Sequence, residues 1–342
     1  MTSTIQDAYV PTTASTALGR RRAFSAAALA GVTAAGFATA GTAMAADPAR
    51  PASPQPGPAR PGMINAGSDS AGYPIELSFV DYGRGNPVVL IHGWPLCKES
   101  WEPQLAELPK HMRVIAYDRR GFGKSSKPWD GYDSDTLADD LKAVLDQLDL
   151  QNVTLVGFSM GGCELARYMS RHNGARIGKL VFVSDVTPYL LKTEDNPLGK
   201  DRDIFDNMIA RVERDRPAYL AEFFKTYYAV GAPQPVLDPV NQLVLDWNMS
   251  WALQASCRAT TECVTTFSAS DYRQDLPKIK VPTLFIHGTA DSMTPPESTV
   301  DRSSKLVPGA KVKMYTGEPH GLNITAKDQF NRDVIEFVGS AA

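Results

Sequence analysis

One short segment strongly limits what this chain can fold into. Residues 153–156 form a strand-like run, and they lead directly into the sequence Gly-Phe-Ser-Met-Gly at 157–161. A helical pattern follows over residues 163–171. A sharp turn between a strand and a helix exposes the serine hydroxyl, and the flanking glycines allow the close backbone approach that this turn needs. The segment therefore predicts a strand–turn–helix unit in which Ser159 is a nucleophile.

The order of the other patterns predicts an α/β domain. Helical periodicity separates most of the strand-like runs, as in residues 135–148, where four leucines and one valine mark one face. Alternating strands and helices favour a mostly parallel central sheet with helices on both faces. Strand-like patterns begin at Pro74 and continue at 88–91, 114–117, 153–156, 180–183, 283–286 and 312–315.

The alternation breaks between about residues 186 and 276. This stretch is helical in pattern and rich in aromatic residues, and the strand pattern resumes at Pro282. We expect a helical cap over about 187–276, inserted after the sixth strand, with most of its aromatic side chains in the core of the cap. These aromatic residues are Phe223, Phe224, Tyr227, Tyr228, Trp247, Trp251 and Phe267.

Residues 1–45 predict an export signal. Three arginines at 20–22 precede an alanine- and glycine-rich run that ends in Ala-Met-Ala at 43–45, a pattern typical of a twin-arginine signal peptide. The run is too weakly apolar to favour a transmembrane helix. We therefore expect a periplasmic or extracellular protein with no stable membrane insertion after signal cleavage. A proline-rich linker is predicted at 46–72, followed by the folded domain at 73–342.

Composition limits the classes of molecule that the protein is expected to bind. The chain has 35 lysines and arginines against 38 acidic residues, a formal charge of -3, so it offers no basic field for nucleic acid. Its four cysteines lack metal-ligand spacing, and we expect neither a metal nor another cofactor. A small molecule is the expected partner, and the sequence leaves open whether the chain forms a homo-oligomer.

A serine nucleophile needs a base that takes its proton and an acid that orients the base. Among the five histidines, only His320 follows every candidate acid in the chain order serine, acid, histidine. Two acids follow strand-like runs: Asp291 in the loop after 283–286, and Asp185 at the end of the preceding run. The loop of Asp291 matches the pattern more closely, so we favour Asp291 and keep Asp185 as the alternative.

An acyl-transfer site also needs two backbone amides that stabilise the developing oxyanion. Met160 directly follows the nucleophile, and Trp94 lies in the loop after the run at 88–91. Pro95 cannot replace Trp94 in this role because proline has no N–H. The residues expected to line the substrate pocket are His92, Pro95, Phe158 and Asp185.

Several longer motifs carry a resemblance to a known family. They are HGWPL at 92–96, AYDRRGFGKSSKPW at 116–129, GFSMGG at 157–162, VTPYLLKTEDNP at 186–197 and PHGLN at 319–323. From about Tyr73 onward the chain resembles the bacterial non-heme chloroperoxidases, also called perhydrolases or arylesterases, of the α/β-hydrolase superfamily.

The resemblance implies the α/β-hydrolase fold and a catalytic triad of Ser159, Asp291 and His320. It also implies that the amides of Trp94 and Met160 form the oxyanion hole, and that no metal or heme takes part. The implied substrates are a small ester or carboxylic acid together with hydrogen peroxide, which attacks the acyl-enzyme and forms a peracid. In that family a proline at the position of Pro95 accompanies perhydrolysis.

Other functions remain open at this point. A lactonase or a carbon–carbon bond hydrolase uses the same triad under a different cap, and a non-catalytic binding protein can keep the fold as a scaffold. The sequence also departs from the usual residues of the family at Cys97, Cys163 and Asp185.

Overall fold

An eight-stranded, mostly parallel β-sheet forms the centre of the protein in a computed structural model that describes residues 61–231 and 240–340. The strand order is β1-β2-β4-β3-β5-β6-β7-β8. Strand β2 pairs antiparallel with both of its neighbours, β1 and β4, and all other neighbouring strands pair parallel. The strands are β1 Gly62–Ser68, β2 Pro74–Tyr82, β3 Pro87–Ile91, β4 Arg113–Tyr117, β5 Val153–Phe158, β6 Ile177–Val183, β7 Thr283–Gly288 and β8 Lys311–Tyr315.

Helices cover both faces of this sheet. Every residue of β5 is buried, and successive side chains of a strand point to opposite faces, so the centre of the sheet has cover on each side. The α-helices are α1 Glu102–Glu107, α2 Ser134–Gln147, α3 Gly161–Arg171, α4 Arg202–Tyr227, α5 Gln242–Ala252, α6 Cys257–Ala269, α7 Val300–Leu306, α8 Leu322–Thr325 and α9 Lys327–Gly339. The predicted fold class is confirmed.

The cap consists of α4, α5 and α6, which lie between β6 and β7 and within the predicted range of 187–276. Helix α4 is interrupted at Asp215, whose backbone is not helical, two residues before Pro217. Proline lacks the N–H of a continuous helix, and the Asp215 carboxylate instead accepts a hydrogen bond from the amide of Ala218 (3.0 Å). Helix α4 is therefore kinked at this point.

The predicted boundary between linker and folded domain is too late. Strand β1 lies inside the predicted linker of 46–72 and pairs antiparallel with β2. It is an edge strand in which only Ile64 is buried, so its sequence has little of the alternation by which a strand is recognised. The predicted signal peptide at 1–45 and the proline-rich part of the linker lie outside the described residues.

Membrane-spanning helices were searched for in the described part of the chain. None of its helices is both long enough and apolar enough to cross a membrane.

Candidate active site

Ser159 lies at the sharp turn between β5 and α3. Its φ angle of 53° is unusual for a residue that has a side chain. Its amide donates to the carbonyl of Val183 (2.8 Å), and its carbonyl accepts from the amide of Gly162 (2.9 Å). A Cβ atom at Gly157 would lie 2.7 Å from the backbone of Gly161, so the turn requires glycine there. The strand, turn and helix predicted around the serine are all present.

His320 bridges Ser159 and Asp291. Its Nε2 atom lies 3.0 Å from the Oγ of Ser159, and its Nδ1 atom lies 2.8 Å from the Oδ2 of Asp291. The three residues follow β8, β5 and β7, so they meet at the carboxyl ends of parallel strands. Because a carboxylate only accepts, Nδ1 carries the proton and Nε2 can take one from the serine. This is the arrangement of a nucleophile, a base and an orienting acid.

The carboxylate of Asp291 accepts several hydrogen bonds besides that of His320. Its Oδ1 accepts hydrogen bonds from the amides of Met293 and Thr294, both at 2.9 Å, and its Oδ2 accepts from the Thr294 hydroxyl at 2.8 Å. Burial alone would raise the pKa of Asp291, but the charge and hydrogen bond of His320, together with His287 and the Thr294 amide, hold it below its usual value. The carboxylate is therefore ionised at neutral pH.

Asp185, the alternative acid, does not contact His320. Its carboxylate accepts from the amide of Thr187 (3.3 Å) and from the hydroxyl of the same residue. Its Oδ1 is buried and has no hydrogen-bond partner among the residues that the structure describes. Burial raises the pKa of Asp185 to about 7, against the opposing effect of Thr187. Of the two acids that the sequence left open, only Asp291 is placed to orient the imidazole.

The loop after β3 lies directly against the nucleophile. A Cβ atom at Gly93 would lie 2.6 Å from the ring of Phe158 and 3.0 Å from the Cβ of Ser159, so this close approach favours glycine. The next residue is Trp94; its backbone amide and that of Met160 have no protein acceptor within 61–231 and 240–340. Met160 precedes α3, whose N-terminal end favours negative charge. Both amides are therefore free to donate to an oxygen bound at the serine.

A cavity of about 320 Å³ opens at the serine. Trp94, Ser159 and His320 contribute to its wall, and apolar side chains of the cap form much of the rest. Among the seven cap aromatics named from the sequence, only Phe223 and Phe267 line this cavity. The other five are not part of the lining. The cavity therefore has a polar reacting end and a mostly apolar body.

Comparison with known proteins identifies the family. Residues 86–327 match the family described as alpha/beta hydrolase fold, and this match covers well over half of the chain. The chain belongs to the α/β-hydrolase family.

Individual relatives indicate which type of α/β hydrolase this protein is. It is 39% identical to a non-heme chloroperoxidase of Kitasatospora aureofaciens, over 77% of this chain and 96% of that protein. It is 35% identical to a bifunctional esterase/perhydrolase of Acinetobacter calcoaceticus, over 78% of this chain and 97% of the other. The crystal structure of a bromoperoxidase from Bacillus anthracis superposes with a TM-score of 0.78 at 44% identity, over 82% of this chain and all of the other. The hydrolase is thus of the non-heme chloroperoxidase and esterase type.

Four residues of the hydrolase that were predicted to line the pocket do not line it. They are His92, Pro95, Phe158 and Asp185, all of which are buried and absent from the lining of the cavity. Phe158 packs against the ring of His320, with 5.2 Å between the ring centroids. Asp185 turns toward Thr187, and the backbone of Gly162 lies against it. Each of the four residues lies in or next to a loop that carries part of the site, but this position does not decide whether a side chain faces the cavity or the core.

His92 stabilises the loop after β3 of the hydrolase through two hydrogen bonds to the backbone. Its Nε2 accepts from the amide of Arg119 (3.0 Å), and its Nδ1 donates to the carbonyl of Gly93 (2.9 Å). Burial lowers the pKa of His92 well below its usual value, and the charge of Arg119 lowers it further. His92 is therefore neutral and positions the backbone that approaches the nucleophile.

Two residues beside the acid were not predicted from the sequence as part of the site. The hydroxyl of Thr294 lies 2.8 Å from the Oδ2 of Asp291 and 3.2 Å from the Nδ1 of His320. The Nε2 of His287 donates to the carbonyl of Thr294 (2.7 Å) and lies 3.4 Å from the same Oδ2 atom. Burial lowers the pKa of His287, although the charge of Asp291 opposes this.

A local signal for Thr294 was present in the sequence. An aspartate readily accepts hydrogen bonds from amides two and three residues later, which are here those of Met293 and Thr294. His287 has no such signal: it lies in β7, and the turn that follows this strand brings Asp291, four residues later, beside its ring.

One group of described residues has the donor atoms of a metal site. The ligand atoms of Cys97, Glu99 and Asp118 lie within 4.8 Å of one another. The ammonium of Lys98 already forms ion pairs with Asp118 (2.6 Å) and Glu99 (3.2 Å). Burial raises the pKa of the Cys97 thiol, and the two carboxylates raise it further. A protonated thiol beside carboxylates that are paired with lysine is a poor metal ligand set.

Proposed function

We propose that this α/β hydrolase is a cofactor-free serine esterase that cleaves small carboxylic esters through an acyl-enzyme. The observation that carries the proposal is the position of the His320 imidazole, between the Ser159 hydroxyl and the Asp291 carboxylate. A serine hydroxyl becomes a strong nucleophile only when a base takes its proton, and this geometry supplies that base.

The first half of the reaction forms the acyl-enzyme. The Oγ of Ser159 attacks the ester carbonyl while the Nε2 of His320 takes the hydroxyl proton. Asp291 stabilises the imidazolium that results, and the free amides of Trp94 and Met160 donate to the oxyanion. When the tetrahedral intermediate collapses, the bond to the alcohol breaks and His320 returns the proton to the departing oxygen.

The second half releases the acid. Water enters, His320 takes one of its protons, and the remaining hydroxide attacks the acyl carbon. The bond to Ser159 breaks, and His320 returns the proton to the serine oxygen. The cycle consumes one ester and one water and yields one acid and one alcohol.

We further propose that hydrogen peroxide can replace water in the second half. Attack by HOO⁻ on the acyl carbon gives a peracid and regenerates the serine, so the atoms balance without any redox change at the protein. The support is the similarity to a protein named a bifunctional esterase/perhydrolase and to proteins named non-heme chloroperoxidases. Pro95 accompanies this activity in the family that the sequence resembles.

Ser159→Ala is the direct test of the acyl-enzyme. We expect this variant to fold normally and to lose both ester hydrolysis and labelling by a fluorophosphonate probe, because no other atom can form the intermediate. Ser250→Ala, on the exposed surface of α5, is the matched control and is expected to keep both properties. Wild-type turnover by Ser159→Ala, or failure of the probe to label the wild type, would refute the proposal and favour a non-catalytic scaffold.

A panel of aryl esters, alkyl esters and lactones, assayed with and without hydrogen peroxide, tests the reaction type. We expect ester hydrolysis without peroxide and peracid formation with it. Hydrolysis with no peracid at any peroxide concentration would limit the proposal to the esterase. Turnover of lactones alone would replace the esterase with a lactonase.

We also propose that the protein is exported by the twin-arginine route, on the basis of the arginines at 20–22 and the Ala-Met-Ala sequence at 43–45. Replacement of Arg21 and Arg22 by lysine should keep the protein in the cytoplasm with its signal uncleaved. Fractionation and mass spectrometry of the N-terminus measure this outcome. Unchanged export would contradict the assignment.

A further inference from the structure

One cation in the wall of the active-site cavity has no acidic partner. Lys200 lines the same cavity as Ser159 and His320. Its ammonium donates to the carbonyl of Met293 (2.7 Å), and among the described residues it forms no ion pair with a carboxylate. By contrast, the ammonium of nearby Lys192 pairs with Asp201 (3.1 Å) on the exposed surface.

The charges in the wall of the cavity do not balance around Lys200. Arg211 and Glu222 also line the cavity, and they form an ion pair with each other. Leaving the imidazole of His320 aside, the lining contains two cations and one carboxylate, so one positive charge has no counterion in the wall. Lys200 carries that charge.

The position of Lys200 is fixed by its backbone. Its amide donates to the carbonyl of Leu190 (2.7 Å), and its carbonyl accepts from the amide of Lys192 (2.8 Å). A side chain on a fixed backbone, with its ammonium held by Met293, loses little further freedom when it binds a ligand. An ammonium has three donors, and the carbonyl of Met293 uses one of them.

Lys200 is half-buried, and this partial loss of water around its ammonium has an electrostatic cost that a ligand could relieve. Desolvation lowers the pKa of Lys200, and the charge of Asp291 offsets only part of this. A buried ammonium is stabilised when an anion pairs with it, and charge-assisted hydrogen bonds are the strong ones. The apolar side chains of the cap in the cavity wall would strengthen such a pair further, because two charges attract more strongly where the local dielectric constant is low.

We propose that Lys200 is the centre of an anion subsite, and that the preferred esters carry an ionised carboxylate in addition to the ester group that Ser159 attacks. This inference rests on the proposed esterase function and specifies its substrate class as the half-esters of dicarboxylic acids. The carboxylate pairs with the ammonium of Lys200 while the ester carbonyl lies at Ser159. A volume of about 320 Å³ suits a small ester of this kind.

A purely structural role for Lys200 gives a different expectation. Its bond to the carbonyl of Met293 also ties the segment before α4 to the loop that holds Asp291. If this tie were its whole contribution, its loss would weaken turnover of every ester equally. The measurement that separates the two roles is therefore the ratio of kcat/KM for a charged ester to kcat/KM for a neutral one.

The test compares the para-nitrophenyl half-ester of glutaric acid with para-nitrophenyl valerate, which has the same number of acyl carbons and no charge. In Lys200→Met the ratio of kcat/KM for the half-ester to that for the valerate should fall about ten- to a hundredfold, the range for loss of a charge-assisted hydrogen bond. Lys200→Arg, which keeps the charge, should recover part of the ratio. Lys192→Met is the matched control on the exposed surface, and its ratio should equal that of the wild type.

Two outcomes would overturn the inference. Equal losses on both esters in Lys200→Met would assign a structural role, and an unchanged ratio would show that the ammonium does not contact the substrate.

Calorimetric titration with glutarate separates failure of this inference from failure of the esterase function, because binding needs no turnover. Weaker binding of glutarate by Lys200→Met than by the wild type supports the subsite even if neither ester is hydrolysed. Equal binding, or no binding by the wild type, contradicts it even if the valerate is a good substrate.

Discussion

Trp94 and Thr260 are 166 positions apart in the sequence, yet the indole Nε1 of Trp94 donates a hydrogen bond to the carbonyl of Thr260 at 2.9 Å. The ring of Trp94 also packs edge-on against Phe223 of the cap, with 4.9 Å between centroids. The residue whose amide we assign to the oxyanion hole is thus anchored to α6 and α4. Through this side chain the cap holds the loop beside the nucleophile.

We expect Trp94→Phe to destabilise the protein by about 0.5–1.5 kcal/mol, because the hydrogen bond from the indole to the carbonyl of Thr260 is lost while most of the aromatic packing remains. The free energy of unfolding in urea measures this change. Trp247→Phe is the matched control, since the structure shows no hydrogen bond from the Trp247 indole to the described residues. Equal destabilisation in the two variants would show that ring size, rather than the hydrogen bond, is responsible.

Thr294→Val removes the hydroxyl beside Asp291 and keeps both the backbone amide and the shape of the side chain. We expect kcat/KM for a neutral ester to fall about ten- to a hundredfold, since a hydrogen bond to a charged group contributes about 1.5–3 kcal/mol. Thr294→Ser restores the hydroxyl and should recover most of the activity. Failure of the serine variant to recover it would assign the loss to packing of the methyl group.

Asp291→Asn should lower kcat by about three to four orders of magnitude, as in other serine triads, because the amide stabilises the wrong tautomer of His320. Asp185→Asn is the comparison, and we expect a far smaller effect because Asp185 does not touch the imidazole. Steady-state kinetics on one ester measure both variants. A larger loss of kcat in Asp185→Asn than in Asp291→Asn would assign the orienting role to Asp185, which follows β6.

The buried carboxyl of Asp185 should make stability depend on pH. The pKa of this group is about 7 in the folded protein and near its ordinary value of 3.8 in the unfolded chain. Between these values the folded state binds more protons, so the contribution of this group to stability falls as the pH rises. Asp185→Asn should therefore gain stability relative to the wild type between pH 4 and pH 8, by on the order of a few kcal/mol. Urea unfolding at several pH values measures the difference, and a constant difference would contradict the assignment.

Much of the site follows from the sequence because it depends on neighbours along the chain. The turn at Ser159 needs small residues next to it, and Gly157 and Gly161 supply them within the same few residues. The order of serine, acid and histidine likewise singles out His320 without coordinates. The alternation of strands and helices, a property of periodicity, indicated the parallel sheet. Strand β1 was missed because an edge strand with a single buried residue has almost no periodicity.

Tertiary structure decided whatever depends on the direction of a side chain. Asp185 and Asp291 both end parallel strands, and the sequence favours one over the other only by the pattern of a loop. In three dimensions, Asp185 turns to its own Thr187, whereas Asp291 meets an imidazole 29 residues away in the chain. His92 and Phe158 are adjacent to the site in sequence but face the core, whereas Lys200, which no motif singled out, faces the cavity. Sequence patterns report contacts between close neighbours, whereas the pairing of distant side chains depends on how the cap and sheet pack together.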